Sequence, residues 1–315
     1  MEGNGLLLSV VMITYGHEKF IEQAIHGVLS QECDFDFELI VANDCSPDNT
    51  HIIIQDLIAK HPKASKIKYV RHDNNIGMMP NFLFALKSAK GKYIALCEGD
   101  DYWNLSSKVQ KQVDFLEANS EFGLCHTNNS RFTQNTQKSI DDTTIKVSCI
   151  DVFSGLIKAQ YPISTLTTVF HKTIWEQYIM DINPAGKDWL MGDLPFWLYL
   201  SKDYKVHYQD DITAVYRVVE ESASNTQDLN KMIRFDKSVK EVKLFFLEKY
   251  AKDHNDIIKI KKEVEAIFIY RKIIAFAKCK GNLNNFFYLL FQFHKINREP
   301  RHFFGSFKQI FVRLF

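Results

Sequence analysis

Several signatures are missing from this sequence, and each absence removes a class of chemistry. The six cysteines (Cys33, Cys45, Cys97, Cys125, Cys149 and Cys279) make no CxxC pair and keep no regular spacing. That pattern offers neither a zinc cage nor a disulfide framework, and a reducing compartment is the simpler reading. Eleven histidines are dispersed without HxxxH or HExxH, so a zinc hydrolase has nothing to stand on. There is no GxGxxG and no GxxxxGK[ST], which disfavours dinucleotide oxidoreductases and P-loop NTPases. No run approaches the roughly 18 uninterrupted apolar residues that a spanning helix needs. The start, Met-Glu-Gly-Asn-Gly, leads into a strand-like segment with no basic n-region or small-residue cleavage pattern. The expectation is a cytoplasmic protein, soluble or peripheral on the inner face of the cell membrane. Net charge is nearly absent, with 39 Lys+Arg against 38 Asp+Glu, and nothing in it points to nucleic acid.

What is present begins with size. At 315 residues and 46% hydrophobic content the chain has room for one large domain, or a medium domain with an appendage. Charge is unevenly placed: from Lys231 to Phe315 there are 19 basic and 8 acidic residues, an excess that the first 230 residues cancel. Leu6 to Thr14 is the β-branched run of a buried parallel strand, followed by a helical pattern from Glu18 to Gln31. The alternation continues with a strand at Phe37–Ala42, a helix at Asn49–Ala59, a strand at Ile67–Arg71, a helix at Pro80–Ala89 and a strand at Tyr93–Cys97. Four strands alternating with helices predict an α/β fold with a doubly wound, mostly parallel sheet. Ligands of such sheets bind beyond the carboxyl ends of the strands. Further along, Asn128–Ser148 reads as a polar loop or β-ribbon. Then follow a helix at Val152–Lys158, a strand at Thr165–Phe170, a helix at Leu194–Ser201, and strands at Lys205–Tyr208 and Ala214–Val218. Glu221–Asn230 has the composition of a linker, and helical patterns dominate beyond it. The domain expectation is residues 1–222 and a helical, basic, Phe-rich region 223–315.

Three of the first four strand ends carry acids. Glu98-Gly99-Asp100-Asp101 is the strongest signal. A diphosphate leaving group gains negative charge as its bond to a sugar breaks, and a hard divalent cation held by one or two carboxylates answers that charge. Gly99 would let the backbone turn sharply there; a solvated acidic turn is the bland alternative. Asp44 follows the second strand, where a carboxylate could accept the imide N–H of a uracil or thymine, or could equally make an Asx-turn or helix cap. Asp48-Asn49-Thr50 fits capping of the next helix. Asn75 and Gly77 lie in a turn after the third strand, with a positive φ expected at Gly77. Asp193 precedes an apolar helix, where it can be the cap or a general base, and Asp188 is close enough in sequence to substitute.

In order along the chain, SVVMITYGHEKFIEQAIHGVLSQ, FELIVANDCSPDNT, NNIGMMPNF, GKYIALCEGDDYW and GDLPFWLYL resemble the family-2 inverting glycosyltransferases of the GT-A fold. The resemblance covers about the first 220 residues. It implies that Thr14, Tyr15 and Asp44 hold a pyrimidine base, with Asn75 and Gly77 near the nucleotide. It also implies that Glu98, Asp100 and Asp101 form a DxD-type motif, with Glu98 and Asp100 on the nucleotide and Asp100 and Asp101 on Mg²⁺ or Mn²⁺. Asp193 would be the catalytic base of a single displacement with inversion, from a UDP-sugar to a glycan or lipid-linked acceptor in surface polysaccharide or glycolipid synthesis. Departures are Gly16 for an asparagine, Asn43 for an acid, Glu98 for Asp, and Val219 where many relatives have a histidine that helps with the metal or diphosphate. Arg217 or Glu220 would have to compensate for that last one. The tail, ending Phe303-Phe304 through Phe315, reads as a membrane-surface helix or as a stripe packing on the catalytic domain or a second copy. A nucleotidyltransferase would also place acids on a metal at strand ends, but Thr14–Glu18 is no Gly-rich phosphate loop. A catalytically inactive nucleotide-sugar-binding scaffold is the other alternative.

Overall fold

The computed structural model describes residues 6–133, 138–141, 151–219, 226, 228–251, 254–278, 288–289, 291–293 and 295. The chain divides into two compact units. The first comprises Met1–Leu156, Tyr161–Asp188 and Phe196–Val218; the second comprises Ile157–Gln160, Trp189–Pro195 and Val219–Phe315.

The first unit opens as the sequence predicts. β1 (Leu8–Thr14), β2 (Phe37–Asn43), β3 (Ile67–Arg71) and β4 (Tyr93–Leu96) pair in parallel in the order β3-β2-β1-β4. The crossovers are α1 (Ile21–Leu29), α2 (Thr50–Lys60) and α3 (Met78–Lys87). Every residue of β2, and all of β1 but Ile13, is buried, because helices cover both faces of such a sheet and leave no strand face to water. The register sets Thr14 opposite Asn43, and Asn43 opposite Arg71, so the first three strands end level with one another.

Past β4 the sheet departs from a doubly wound pattern. β4 pairs antiparallel with β8 (Val169–His171), which pairs antiparallel with β6 (Phe122–Thr133). β6 runs parallel to β9 (Lys205–Val218), and β9 pairs antiparallel with β5 (Tyr102–Trp103) at the far edge. The sheet remains mostly parallel in its first half and becomes mixed in its second. The polar segment expected as a loop or β-ribbon begins inside β6. Only its later part makes a ribbon, through β7 (Lys138–Asp141) against the end of β6; residues 134–137 and 142–150 lie outside the described residues. The two short strands expected at 205–208 and 214–218 are one 14-residue strand. Thr165–Phe170 divides into a 3-10 turn at Thr165–Thr167 and the start of β8. α4 (Lys108–Ala118) and α6 (Lys172–Ile182) were not foreseen, whereas α5 (Val152–Ile157) and α7 (Asp193–Ser201) were.

The C-terminal helical region is present as α8 (Leu229–Tyr250) and α9 (His254–Lys278). Asp228 caps α8 by accepting the N–H groups of Asn230 and Lys231. Within this unit buried Asp236 pairs with Arg271, and Val242, Phe246, Ile269 and Ile273 are buried. The Phe303–Phe315 stretch and most of the expected linker lie outside the described residues. Among the described residues no helix is long and apolar enough to cross a membrane.

Candidate active site

The loops at the carboxyl ends of β1 and β2 are tied to each other by polar bonds. Gly16 sits at φ +72° and its N–H donates to Ser46 Oγ at 3.0 Å; the His17 N–H donates to Thr50 Oγ1 at 2.9 Å. Asp48 accepts from the Glu18 N–H through one oxygen, and from the N–H and hydroxyl of Thr50, the first residue of α2, through the other. The N-cap position itself is Asn49, whose side chain makes no cap bond, so the expected capping is replaced by Asp48 bonding from one position earlier. Glu18 reciprocates by accepting from the backbone and side chain of Asn49. Asn43, in place of an acid, accepts from the N–H and hydroxyl of Ser46 through Oδ1 and donates through Nδ2 to Tyr69 Oη at 3.0 Å. A carboxylate there could accept but not donate.

Asp44 is buried, and it is not a helix cap. Its two oxygens accept the N–H groups of Ile76 at 2.7 Å and Gly77 at 2.9 Å, while its carbonyl accepts from Asn75 Nδ2 at 3.3 Å. The carboxylate therefore holds the turn after β3, in which Gly77 has the expected positive φ, +92°. Each oxygen keeps a second lone pair for a ligand donor. Tyr15 is half exposed beside these loops, and Thr14 is buried. The Asp44 N–H donates to the Thr14 carbonyl at 3.0 Å, and the Gly99 N–H to the Ile13 carbonyl at 3.0 Å. Thr14 is thus flanked by Asp44 on one hand and the acid turn on the other.

The acid turn connects β4 to β5. The expected sharp turn is there, closed by the Asp101 N–H donating to the Glu98 carbonyl at 3.1 Å; Gly99 takes part in it without a positive φ and supplies room. A Cβ on it would lie 2.7 Å from Thr14 Oγ1 and 2.9 Å from His17 Nδ1. His17 bridges the two motifs, with Nδ1 3.1 Å from Thr14 Oγ1 and Nε2 4.0 Å from Asp100 Oδ2. Burial lowers its pKa against the opposing pull of Asp100. Asp101 is buried and accepts the Arg217 N–H at 2.7 Å; burial first, then the charges of Asp100 and Glu98, raise its pKa well above the ordinary carboxylate range. Three carboxyl groups in four residues, one of them shut away from water, make a site where added positive charge relieves a standing repulsion. The donors are hard oxygens, the type that suits Mg²⁺ or Mn²⁺. Among the described residues no three His, Cys, Asp or Glu side chains close around one point. Such closure is not required where one or two carboxylates and a substrate's phosphates share the ion. The residues fit the ion.

Sequence reasoning named Arg217 only as a stand-in for the missing histidine, and it did not single out His17, Gln23 or Phe20. Arg217 is buried, with Nη1 donating to the Asp100 carbonyl at 2.6 Å, Nη2 bonded to Gln23 Oε1, and the guanidinium over the rings of Tyr102 and Phe20. The signal that could have found it is a basic residue in an apolar strand segment, Ala214–Val218, of a kind that needs a partner. Asp193 is the first residue of α7, belongs to the second unit, and accepts the Leu194 N–H at 2.7 Å.

The family model described as glycosyl transferase family 2 matches residues 9–172. The chain belongs to that family. Among curated relatives, an uncharacterised protein of Mycobacterium tuberculosis is 39% identical over 118 residues, 38% of this chain and 34% of the relative. A UDP-Glc:α-D-GlcNAc-diphosphoundecaprenol β-1,3-glucosyltransferase of Escherichia coli is 32% identical over 116 residues, 37% of this chain and 43% of the relative. The match spans only about a third of the length of the first of these. Among solved structures, S. aureus TarS in complex with UDP-GlcNAc aligns with a TM-score of 0.65 at 17% identity, covering 92% of this chain and 81% of that one. A mannosyltransferase of Pyrobaculum calidifontis with GDP-Man and Mn²⁺ aligns with a TM-score of 0.58 at 15% identity, covering 87% and 72%. These likenesses establish the GT-A fold: a curled, mostly parallel sheet with flanking helices.

Proposed function

We propose that this protein transfers a sugar from a UDP-sugar to a hydroxyl of a glycan or lipid-linked acceptor, with inversion at the anomeric carbon. The observation that carries the reading is the meeting, on either side of Thr14, of an acid-held turn and an acid turn, in a chain of a sugar-transferring family. Thr14, Tyr15 and Asp44 take the pyrimidine, Asp44 accepting its imide proton on a free lone pair while keeping the Asn75–Gly77 turn in place. Glu98 and Asp100 reach the ribose and diphosphate. Asp100 and Asp101 would hold Mg²⁺ or Mn²⁺ there, and the chemistry it supplies is neutralisation of the charge that grows on the departing diphosphate. Asp193 removes the proton of the acceptor hydroxyl as its oxygen bonds to the anomeric carbon. The bond from that carbon to the phosphate oxygen breaks at the same time and UDP leaves with the electron pair, so one base suffices. The UDP-Glc-using E. coli relative and the UDP-GlcNAc-bound neighbour support the donor class; the diphosphoundecaprenol acceptor named for the E. coli enzyme supports a lipid-linked acceptor.

Release of UDP from a set of UDP-sugars, with and without Mn²⁺, tests this directly. Turnover should require the cation and should vanish when Asp100 and Asp101 are both replaced by Asn. Asp193→Asn should lower kcat by about a hundredfold or more with donor KM little changed, since the base acts only in the transition state. UDP-sugar binding without turnover under every condition would make the chain a scaffold.

A further inference from the structure

Given that functional reading, we infer that Arg217 is a positioning residue that fixes the acid turn for its cation, and that it is not itself a ligand of the diphosphate. Its main-chain N–H holds Asp101 Oδ1 at 2.7 Å while its Nη1 holds the Asp100 carbonyl at 2.6 Å. One residue of β9 thus grips two successive residues of the turn, one by its side chain and one by its backbone. The second arm of the guanidinium is bonded to Gln23 of α1, and its faces are covered by Tyr102 at 4.4 Å and Phe20 at 5.1 Å. Each terminal nitrogen has a partner within the protein, and the residue is only 4% exposed. An arginine in that setting has little left to offer a phosphate. What it does offer is a fixed reference between α1, β5 and β9 from which the Asp100 side chain projects, still partly open to solvent at 21% exposure. Asp101, by contrast, is turned into the protein and held there. Arg217 thus fixes both residues proposed for the cation, Asp101 through one of its carboxylate oxygens and Asp100 through its carbonyl. Groups that orient metal ligands in this way change metal affinity when they are removed, although they never touch the metal.

The test is titration calorimetry of UDP, with and without Mn²⁺, on the full chain. The ratio of the two affinities measures how strongly the cation is coupled to the nucleotide. Asp100→Asn should abolish that coupling. Arg217→Gln should reduce it about tenfold or more while leaving metal-free UDP affinity within about twofold, because the Asp44-held turn is not among its contacts. Arg217→Lys, which keeps a cation over the rings but loses the fork, should recover part of the loss. Adding Arg217→Gln to Asp100→Asn should cost nothing more, as expected when one residue acts through the other. A folded Arg217→Gln protein, recognised by metal-free UDP binding, that keeps full coupling while Asp100→Asn loses it would overturn the inference and leave the functional reading standing. Equal weakening with and without Mn²⁺ would overturn it too, making Arg217 a general support of the fold. If Arg217→Gln does not fold, Gln23→Ala removes one anchor more gently; unchanged coupling there would count against the inference. An unmodified chain in which Mn²⁺ leaves UDP affinity unaltered would bring down the functional reading and this inference together.

Discussion

β1 and β2 are apolar through their middles, with one buried polar pair, Ser9 and Glu38, bonded at 2.7 Å. Their chemistry is deferred to the loops beyond the strand ends. β6 and β9 do the reverse. His126, Thr127, Asn128, Asn129 and Ser130 are consecutive and all buried, and partners come from across the ladder or from a neighbouring segment. Thr127 Oγ1 meets Thr213 Oγ1 at 2.6 Å, Asn128 Nδ2 donates to Asp210 Oδ1 at 3.0 Å, and His126 Nε2 lies 2.9 Å from Tyr161 Oη. The register between the two strands shifts near Thr127–Asn129, as bulges do when they re-aim side chains. In the first half, hydrophobic burial sets the strands and polar bonds set the loops. In the second half, polar bonds also set the strands, and a single unmatched partner there costs a full desolvation penalty.

Acid should therefore expose the second half first, and this is the largest effect the contrast predicts. Burial, with a smaller push from His207, lowers the His126 pKa to about 3. The unfolded chain binds a proton below pH 6.5 that the folded one refuses, so stability is complete above that value and falls as the pH drops toward 3. At pH 4 the loss attributable to His126 is on the order of a few kcal/mol. The raised pKa of Asp101 acts in the opposite sense, so the quantity to compare is the slope of unfolding free energy against pH in the parent and in His126→Gln. The variant should be flatter between pH 6.5 and 4. Equal slopes would mean that the polar interior of β6 is not where acid acts.

The same contrast explains which parts could be read in advance. β1 to β4 and their crossovers announce themselves because apolar runs end in turn and acid motifs, and each strand's partner is close in sequence. The end of β6, from Asn128, reads as a loop or β-ribbon because it has no apolar period; the burial of β6 depends on Thr213, Asp210 and Tyr161, which no local window contains. α4 was hidden for a related reason. Its buried face, Lys108, Val109, Gln112, Val113 and Leu116, has helical spacing but carries a lysine and a glutamine. Both are satisfied inside: Lys108 Nζ donates to Gln112 Oε1 at 2.6 Å and sits over the Trp103 ring, while Gln112 donates to the carbonyls of Cys125 and Thr167. α6 had a legible stripe of Ile174, Trp175, Tyr178 and Ile182, but it follows β8 with no loop to mark its start. Within the site, the acids were legible as residues, whereas the partners of their carboxylates were not. Nothing in the order of residues joins Asp44 to Ile76 and Gly77, or Asp101 to Arg217.

A smaller effect probes the joint between the two halves, where α1 meets β5. A Cβ on Gly27 would lie 2.7 Å from the Trp103 carbonyl oxygen and 3.0 Å from its nitrogen. Both are backbone atoms and cannot rotate aside. Gly27→Ala should cost about 2 kcal/mol in unfolding free energy, as overpacking does, and, because β5 follows directly from Asp101, it should also weaken the Mn²⁺ dependence of UDP binding. A full stability loss with unchanged Mn²⁺ dependence would show that the two halves carry the acid turn independently.

The smallest of the three sharpens the picture of the first half. Asp44→Asn keeps the size of the side chain, but an amide presents one acceptor where the carboxylate presented two. Either Ile76 or Gly77 must lose its partner. A backbone N–H bonded to a charged acceptor contributes about 1.5 kcal/mol or somewhat more. The loss should appear less in unfolding than in nucleotide affinity, because the turn can reorder locally while the proposed pyrimidine site cannot form without it. An equivalent share of binding energy is about tenfold in the dissociation constant of UDP. Since the substitution leaves Asp100 and Arg217 untouched, the weakening should be the same with and without Mn²⁺, the opposite signature to Arg217→Gln. If Asp44→Asn instead erased the cation's contribution while sparing metal-free binding, the two sides of Thr14 would be a single cooperative element, and the separation of base-holding turn from charge-holding turn would have to be abandoned.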